Sequence, residues 1–113
     1  MTAQATCHCG LIRIQVAEAP AQVTDCNCSI CRRYGTLWAY YPLKDVTISE
    51  GRPTQVYMWG DQVLRFHRCP DCGCVTHWSS TDPARDRMGI NANLLDPGVL
   101  AAAKIHHYSG ADR

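Results

Sequence analysis

Eight cysteines in 113 residues fall into three tight groups: Cys7-x-Cys9, Cys26-x-Cys28-x-x-Cys31 and Cys69-x-x-Cys72-x-Cys74. No other feature constrains the fold as strongly. Thiols one residue apart rarely bridge to each other or sit side by side in two disulfides. The start, MTAQATCHCG, has neither the charged nor the apolar region of a secretory leader, so the chain is expected to be soluble and cytoplasmic. In that reducing setting clustered thiols are expected to hold metal rather than to oxidise.

The ligand count divides the cysteines. Cys69-Pro-Asp-Cys72-Gly73 has the form of a zinc knuckle, in which the turn aims backbone N–H groups at the sulfurs and Gly73 takes a φ that other residues resist. A knuckle supplies two thiolates, and Cys7 and Cys9 can supply two more, closing a four-thiolate structural site. In so small a domain that site is expected to act as a staple, because structural zinc affinity appears directly as folding free energy. Cys26, Cys28 and Cys31 are left, with Cys74. If Cys74 joins them, the second site is closed and structural; if not, it has three protein ligands and one exchangeable position, as catalytic zinc has. Spacing leaves both open, because Cys74 would share the face of Cys72 in an extended chain. A helical turn after Cys31 would favour thiolate charge near Cys28 and Cys31.

The rest of the pattern is all-β. Ile12, Ile14 and Val16 alternate with Arg13 and Gln15, as in a half-buried strand. LWAYYP, VTIS, TQVYMW and VLRFHRC follow, each short, rich in β-branched and aromatic residues and separated by turn signals, and read as a meander; CVTHWSS, RMGINANL and IHHYS read as further strands. Arg32 to Tyr34 is expected to form one helical turn stopped by Gly35 in a left-handed conformation, and Asp96-Pro97 to start another through LAAAK. Residues 1–113 fit a single domain, with 46% hydrophobic composition, no repeat and no linker. No apolar run is long enough to span a bilayer. A net charge of +1, with no basic run beyond Arg32-Arg33, proposes no nucleic-acid partner.

CHCG, CNCSICRRYG, the CPDCG knuckle and the later NLLDP together resemble the glutathione-dependent formaldehyde-activating enzyme family, which includes the centromere protein V type of domain. The resemblance runs from Cys7 to about Tyr108. It implies a small, zinc-stapled Mss4-like β-sheet domain with short helical turns and two zinc ions per chain. Cys7, Cys9, Cys69 and Cys72 match the family's structural zinc ligands, Cys26, Cys28 and Cys31 match its second, more open zinc, and Cys74 matches no ligand. The implied activity is that of a carbon–sulfur lyase joining glutathione to formaldehyde as S-hydroxymethylglutathione, or the reverse.

An open thiolate-bound zinc suits this chemistry, because a thiol that enters the fourth position gives up its proton and becomes a nucleophile at neutral pH. Glutathione carries two carboxylates, so cations are wanted nearby, and Arg32 and Arg33 directly follow Cys31. His67, His77, His106 and His107 are expected to be hydrogen-bonded or solvent-facing rather than ligands. Trp38, Tyr40, Trp59 and Trp78 are expected in the core or a pocket wall, the core being favoured. The alternative to an enzyme is a non-catalytic module with two structural zincs that docks a protein partner, and the position of Cys74 discriminates the two.

Overall fold

The computed structural model describes residues 2–109. The elements run β1 (Ala3–Thr6), β2 (Ile12–Val16), β3 (Gln22–Cys26), α1 (Ser29–Tyr34), β4 (Trp38–Tyr41), β5 (Val46–Glu50) and β6 (Gln55–Tyr57). They continue with β7 (Leu64–Arg68), β8 (Val75–Ser80), β9 (Met88–Asn91), α2 (Pro97–Ala102) and β10 (Lys104–Tyr108). The strands form two sheets, a three-stranded one ordered β1-β2-β5 and a seven-stranded one ordered β10-β3-β4-β9-β8-β7-β6.

Side-chain alternation accounts for the first sheet. Ile12, Ile14 and Val16 are buried while Arg13 and Gln15 face out, and β1 lays Ala3 and Ala5 against them in antiparallel register. Every residue of β9 is buried, as befits a strand hydrogen-bonded on both sides by β4 and β8.

The meander expected from spacing holds only for β6 to β9. β5 leaves the run to pair with β2, and β10 returns beside β3 in parallel, Tyr108 opposite Cys26. A parallel partner has to be reached by a crossover, which α2 provides. Asp96 starts that helix by accepting from the Gly98 N–H at 2.9 Å, with Pro97 at its first position. Pairing across such sequence distances has no local signature, and β1 and β3, short and carrying Gln, Thr or Asp, have weak strand signals of their own.

Two asparagines tie β9 to its surroundings. Buried Asn91 donates to the Val75 carbonyl at 2.7 Å and accepts from the Asn93 N–H at 3.2 Å, while the Asn93 amide donates to the Gly35 carbonyl at 2.9 Å. Gly35, at φ 67°, ends α1 with its N–H on the Cys31 carbonyl. The helical turn that carries Cys31 is thereby fastened to the centre of the large sheet.

Candidate metal and substrate site

Two groups of sulfurs form in space. Cys7 and Cys9 lie in the turn joining β1 to β2, and Cys69 and Cys72 in the turn joining β7 to β8, so the group they form joins one sheet to the other. Both turns are glycine-dependent: Gly10 has φ 83° and Gly73 φ 78°, and their N–H groups donate to the carbonyls of Cys7 and Cys69. The four sulfurs lie within 4.8 Å of one another, with Cys7 to Cys9 at 3.7 Å and Cys9 to Cys69 at 3.6 Å. A tetrahedral ion about 2.3 Å from each sulfur separates them by about 3.8 Å, so this donor set fits zinc. Backbone N–H groups of Ile12 and Cys72 point at the sulfurs of Cys7 and Cys69.

The second group is Cys26, Cys28 and Cys31, again within 4.8 Å of one another and all buried. Cys26 ends β3, Cys28 is the N-cap residue of α1, and Cys31 lies on that helix's inner side. Trp38 on β4 donates its indole N–H to the Cys31 sulfur at 3.3 Å. Among the described residues no fourth His, Cys, Asp or Glu joins the group. Cys74 lies with the other set: it is half-buried against the main core, its sulfur contacts Cys72, and the His8 backbone bonds to it.

The sulfurs influence one another strongly. At Cys28 burial opposes ionisation, but the backbone N–H groups of Cys31 and Ile30 and the thiols of Cys31 and Cys26 outweigh it and lower the pKa. Burial raises Cys31 and Cys26, and charge on the neighbouring thiolates adds to this. In the first group Cys72 falls to about 5, burial being overcome by backbone N–H groups of Cys74 and Cys9 and by its thiol neighbours. In each group one sulfur, Cys28 or Cys72, is eased towards its thiolate while neighbours, Cys26 and Cys31 or Cys9, are shifted the other way. A cation between the sulfurs removes that conflict, which is the chemistry of a metal donor set.

A cavity of about 670 Å³ opens over the second group on one face of the large sheet. Alternate residues supply it: Thr24 and Cys26 from β3, Trp38 and Tyr40 from β4, His106 and Tyr108 from β10. β7 adds Leu64 and Phe66, β8 adds Trp78, and Trp59 and Asp61 close one side from the turn between β6 and β7. Trp38 and Trp78 are buried, yet with Tyr40 and Trp59 they form the cavity wall, so core and wall are the same rings.

The cations of the cavity are Arg85 and Arg87, on the loop between β8 and β9. Arg32 and Arg33 are exposed and do not line it; Arg33 instead donates to the Ser29 carbonyl at 2.8 Å, one helical turn back. The signal for the other pair was the alternation in TDPARDR, which puts positions 85 and 87 on one side of an extended segment. As expected for strand histidines, His67 is hydrogen-bonded to Thr54 and Ser79, and His77 to Thr76; their rings stack 4.0 Å apart.

The model of the glutathione-dependent formaldehyde-activating enzyme family matches residues 2–111 of this chain. A crystal structure of a Rhodobacter sphaeroides protein superimposes with a TM-score of 0.72 at 28% sequence identity, covering 91% of this chain and 99% of that one. Among the described residues no helix is long and apolar enough to cross a membrane.

Proposed function

Because the chain belongs to the glutathione-dependent formaldehyde-activating enzyme family, we propose that it is a zinc-dependent carbon–sulfur lyase or synthase acting on a glutathione adduct. Formaldehyde and glutathione are its substrates, and S-hydroxymethylglutathione is the product or, in reverse, the reactant. In the forward direction a carbon–sulfur bond forms, the carbonyl π bond breaks, and the thiol proton ends on the new hydroxyl oxygen.

Cys7, Cys9, Cys69 and Cys72 hold a structural zinc, and Cys26, Cys28 and Cys31 hold a second. When bound there, zinc supplies an electrophilic fourth position at which an incoming thiol is favoured as thiolate. The chain's residues do the rest. Backbone N–H groups of α1 stabilise charge at Cys28, Trp38 fixes the Cys31 sulfur through its indole N–H, and the aromatic wall bounds the space beside the three sulfurs.

The observation that carries this reading is the open side of the three-sulfur group, which faces a substrate-sized cavity and meets no fourth side-chain donor among the described residues. A module with two purely structural zincs would need that donor, and Cys74 stands with the other group. Exchange of ¹³C-formaldehyde with S-hydroxymethylglutathione, followed by NMR, tests the proposal. Acceleration by the zinc-loaded chain, lost in a folded Cys28→Ser variant, is the expected result. A rate equal to that of the uncatalysed mixture would refute it.

A further inference from the structure

The loop between β8 and β9 is built so that its two arginines face the cavity while its two carboxylates are occupied elsewhere. Asp82 accepts from the Ala84 N–H at 2.9 Å, and its own N–H donates to the Ser80 hydroxyl at 3.0 Å. Asp86 accepts from the Leu43 N–H at 2.9 Å. Arg85 and Arg87 are thereby left on the cavity side. Neither of the ion pairs seen among the described residues, Arg52 with Asp71 and His107 with Asp25, involves them.

The guanidiniums are positioned from below by aromatic faces. Arg87 lies over the Tyr40 ring at 4.1 Å and Arg85 over the Trp78 ring at 5.4 Å, while those two rings meet 6.0 Å apart across Gly89. Stacking fixes the plane of each guanidinium and leaves its edge N–H groups, which match a carboxylate in two-point geometry, open to a ligand. Two such cations in a mainly apolar cavity, opposed by the one carboxylate of Asp61, leave an excess of positive charge to be matched.

We infer that Arg85 and Arg87 form a carboxylate clamp that selects, for the site over Cys26, Cys28 and Cys31, a thiol bearing two carboxylates. The clamp rests on the proposed thiol chemistry for its context. Its own evidence is the arrangement of the loop, and it acts on the part of the substrate away from sulfur. The residues are specificity determinants that hold the ligand while its sulfur reaches the three-cysteine group.

S-Methylglutathione separates the two ideas, because it keeps both carboxylates and has no reactive thiol. Calorimetric titration of the zinc-loaded chain is expected to show binding, weakened about tenfold in Arg85→Gln and in Arg87→Gln and about a hundredfold in the double variant. Arg87→Lys is expected to recover part of the loss, since it restores the charge without the fork. The dimethyl ester of the same ligand is expected to bind the wild type weakly and to lose nothing further in the double variant. Equal affinity of S-methylglutathione for wild type and double variant, or an equal loss for the ester, would overturn the clamp. Wild-type turnover of formaldehyde with 2-mercaptoethanol, which has no carboxylate, reads the chemistry alone. Failure there alongside arginine-dependent binding of S-methylglutathione would sink the catalytic reading and leave the clamp supported.

Discussion

Replacing Gly89 by alanine is a one-methyl perturbation whose consequence can be worked from the sheet. Gly89 lies on the buried central strand β9, opposite Tyr40 on one side and Trp78 on the other. A Cβ there would stand 2.6 Å from Cε2 and 2.7 Å from Cδ1 of the Trp78 indole, where ordinary contact begins near 3.4 Å. Nε1 of the same ring would be closer still, and β9 cannot retreat, because both of its edges are hydrogen-bonded, so the indole must move by more than about an ångström. Overpacking of this kind costs about 1–3 kcal/mol. The loss of unfolded-state freedom on going from glycine to alanine returns about 0.4–1 kcal/mol. With a clash against a rigid ring the net should lie near 2 kcal/mol, a fall in Tm of about 8 °C for a chain of this size.

The displaced indole is also the platform for Arg85, so S-methylglutathione should bind more weakly in the same variant. Thermal melts followed by circular dichroism give the stability, and tryptophan emission should shift to the red as Trp78 leaves its site. Gly35→Ala is the control: its Cβ would meet nothing within 4 Å, and the cost there is only that of φ 67° for a residue with a side chain. A Gly89→Ala protein with a Tm within about 2 °C of wild type and unchanged emission would refute the packing argument.

Cys72→Ser should collapse expression or the melt, because it opens the four-sulfur group that joins the two sheets, whereas Cys28→Ser should stay folded with less zinc by elemental analysis. Equal loss of folding in both would contradict separate structural and open sites. The stacked pair His67 and His77 predicts acid sensitivity, since burial lowers the pKa from 6.5 to about 4 and about 3 respectively, the cation Arg65 adding to the first and His67 to the second. Each is neutral in the folded chain and protonates more readily when unfolded, so the stability present above pH 6.5 is lost as pH falls towards those values. For His77 this amounts to about 2 kcal/mol between pH 7 and pH 5. Urea midpoints taken with zinc in excess should therefore fall more steeply in wild type than in His77→Gln, and parallel curves would exclude the pair as the cause.

Several parts of this molecule are properties of short stretches and were legible before any folding. The alternation of Ile12, Ile14 and Val16 exposes one strand face and buries the other by the period of the backbone alone. Gly35 ends α1, and Asp96-Pro97 starts α2, through φ preferences and a side-chain oxygen acting within a few residues. The C-x-C-x-x-C run brings three sulfurs together within one turn, so a trivalent donor set needs no distant partner.

Long-range closure decided the rest. Cys74 is two residues beyond Cys72, and only the turn between β7 and β8, closed by the Cys69 N–H on the Cys74 carbonyl, commits it to the first group. β10 pairs in parallel with β3 because α2 carries the chain back, and this brings His106 and Tyr108 to the cavity beside Cys26. Arg32 and Arg33 were adjacent to the site in sequence, but the helical turn spends Arg33 on its own Ser29 carbonyl. Arg85 and Arg87, remote in sequence, arrive over Trp78 and Tyr40 because Gly89 leaves room for those rings, from the two strands flanking β9, to meet across it. Local chemistry chooses the turns and the donors, whereas which donors and cations share one space depends on strand pairing and packing, terms that involve residues no local window contains together.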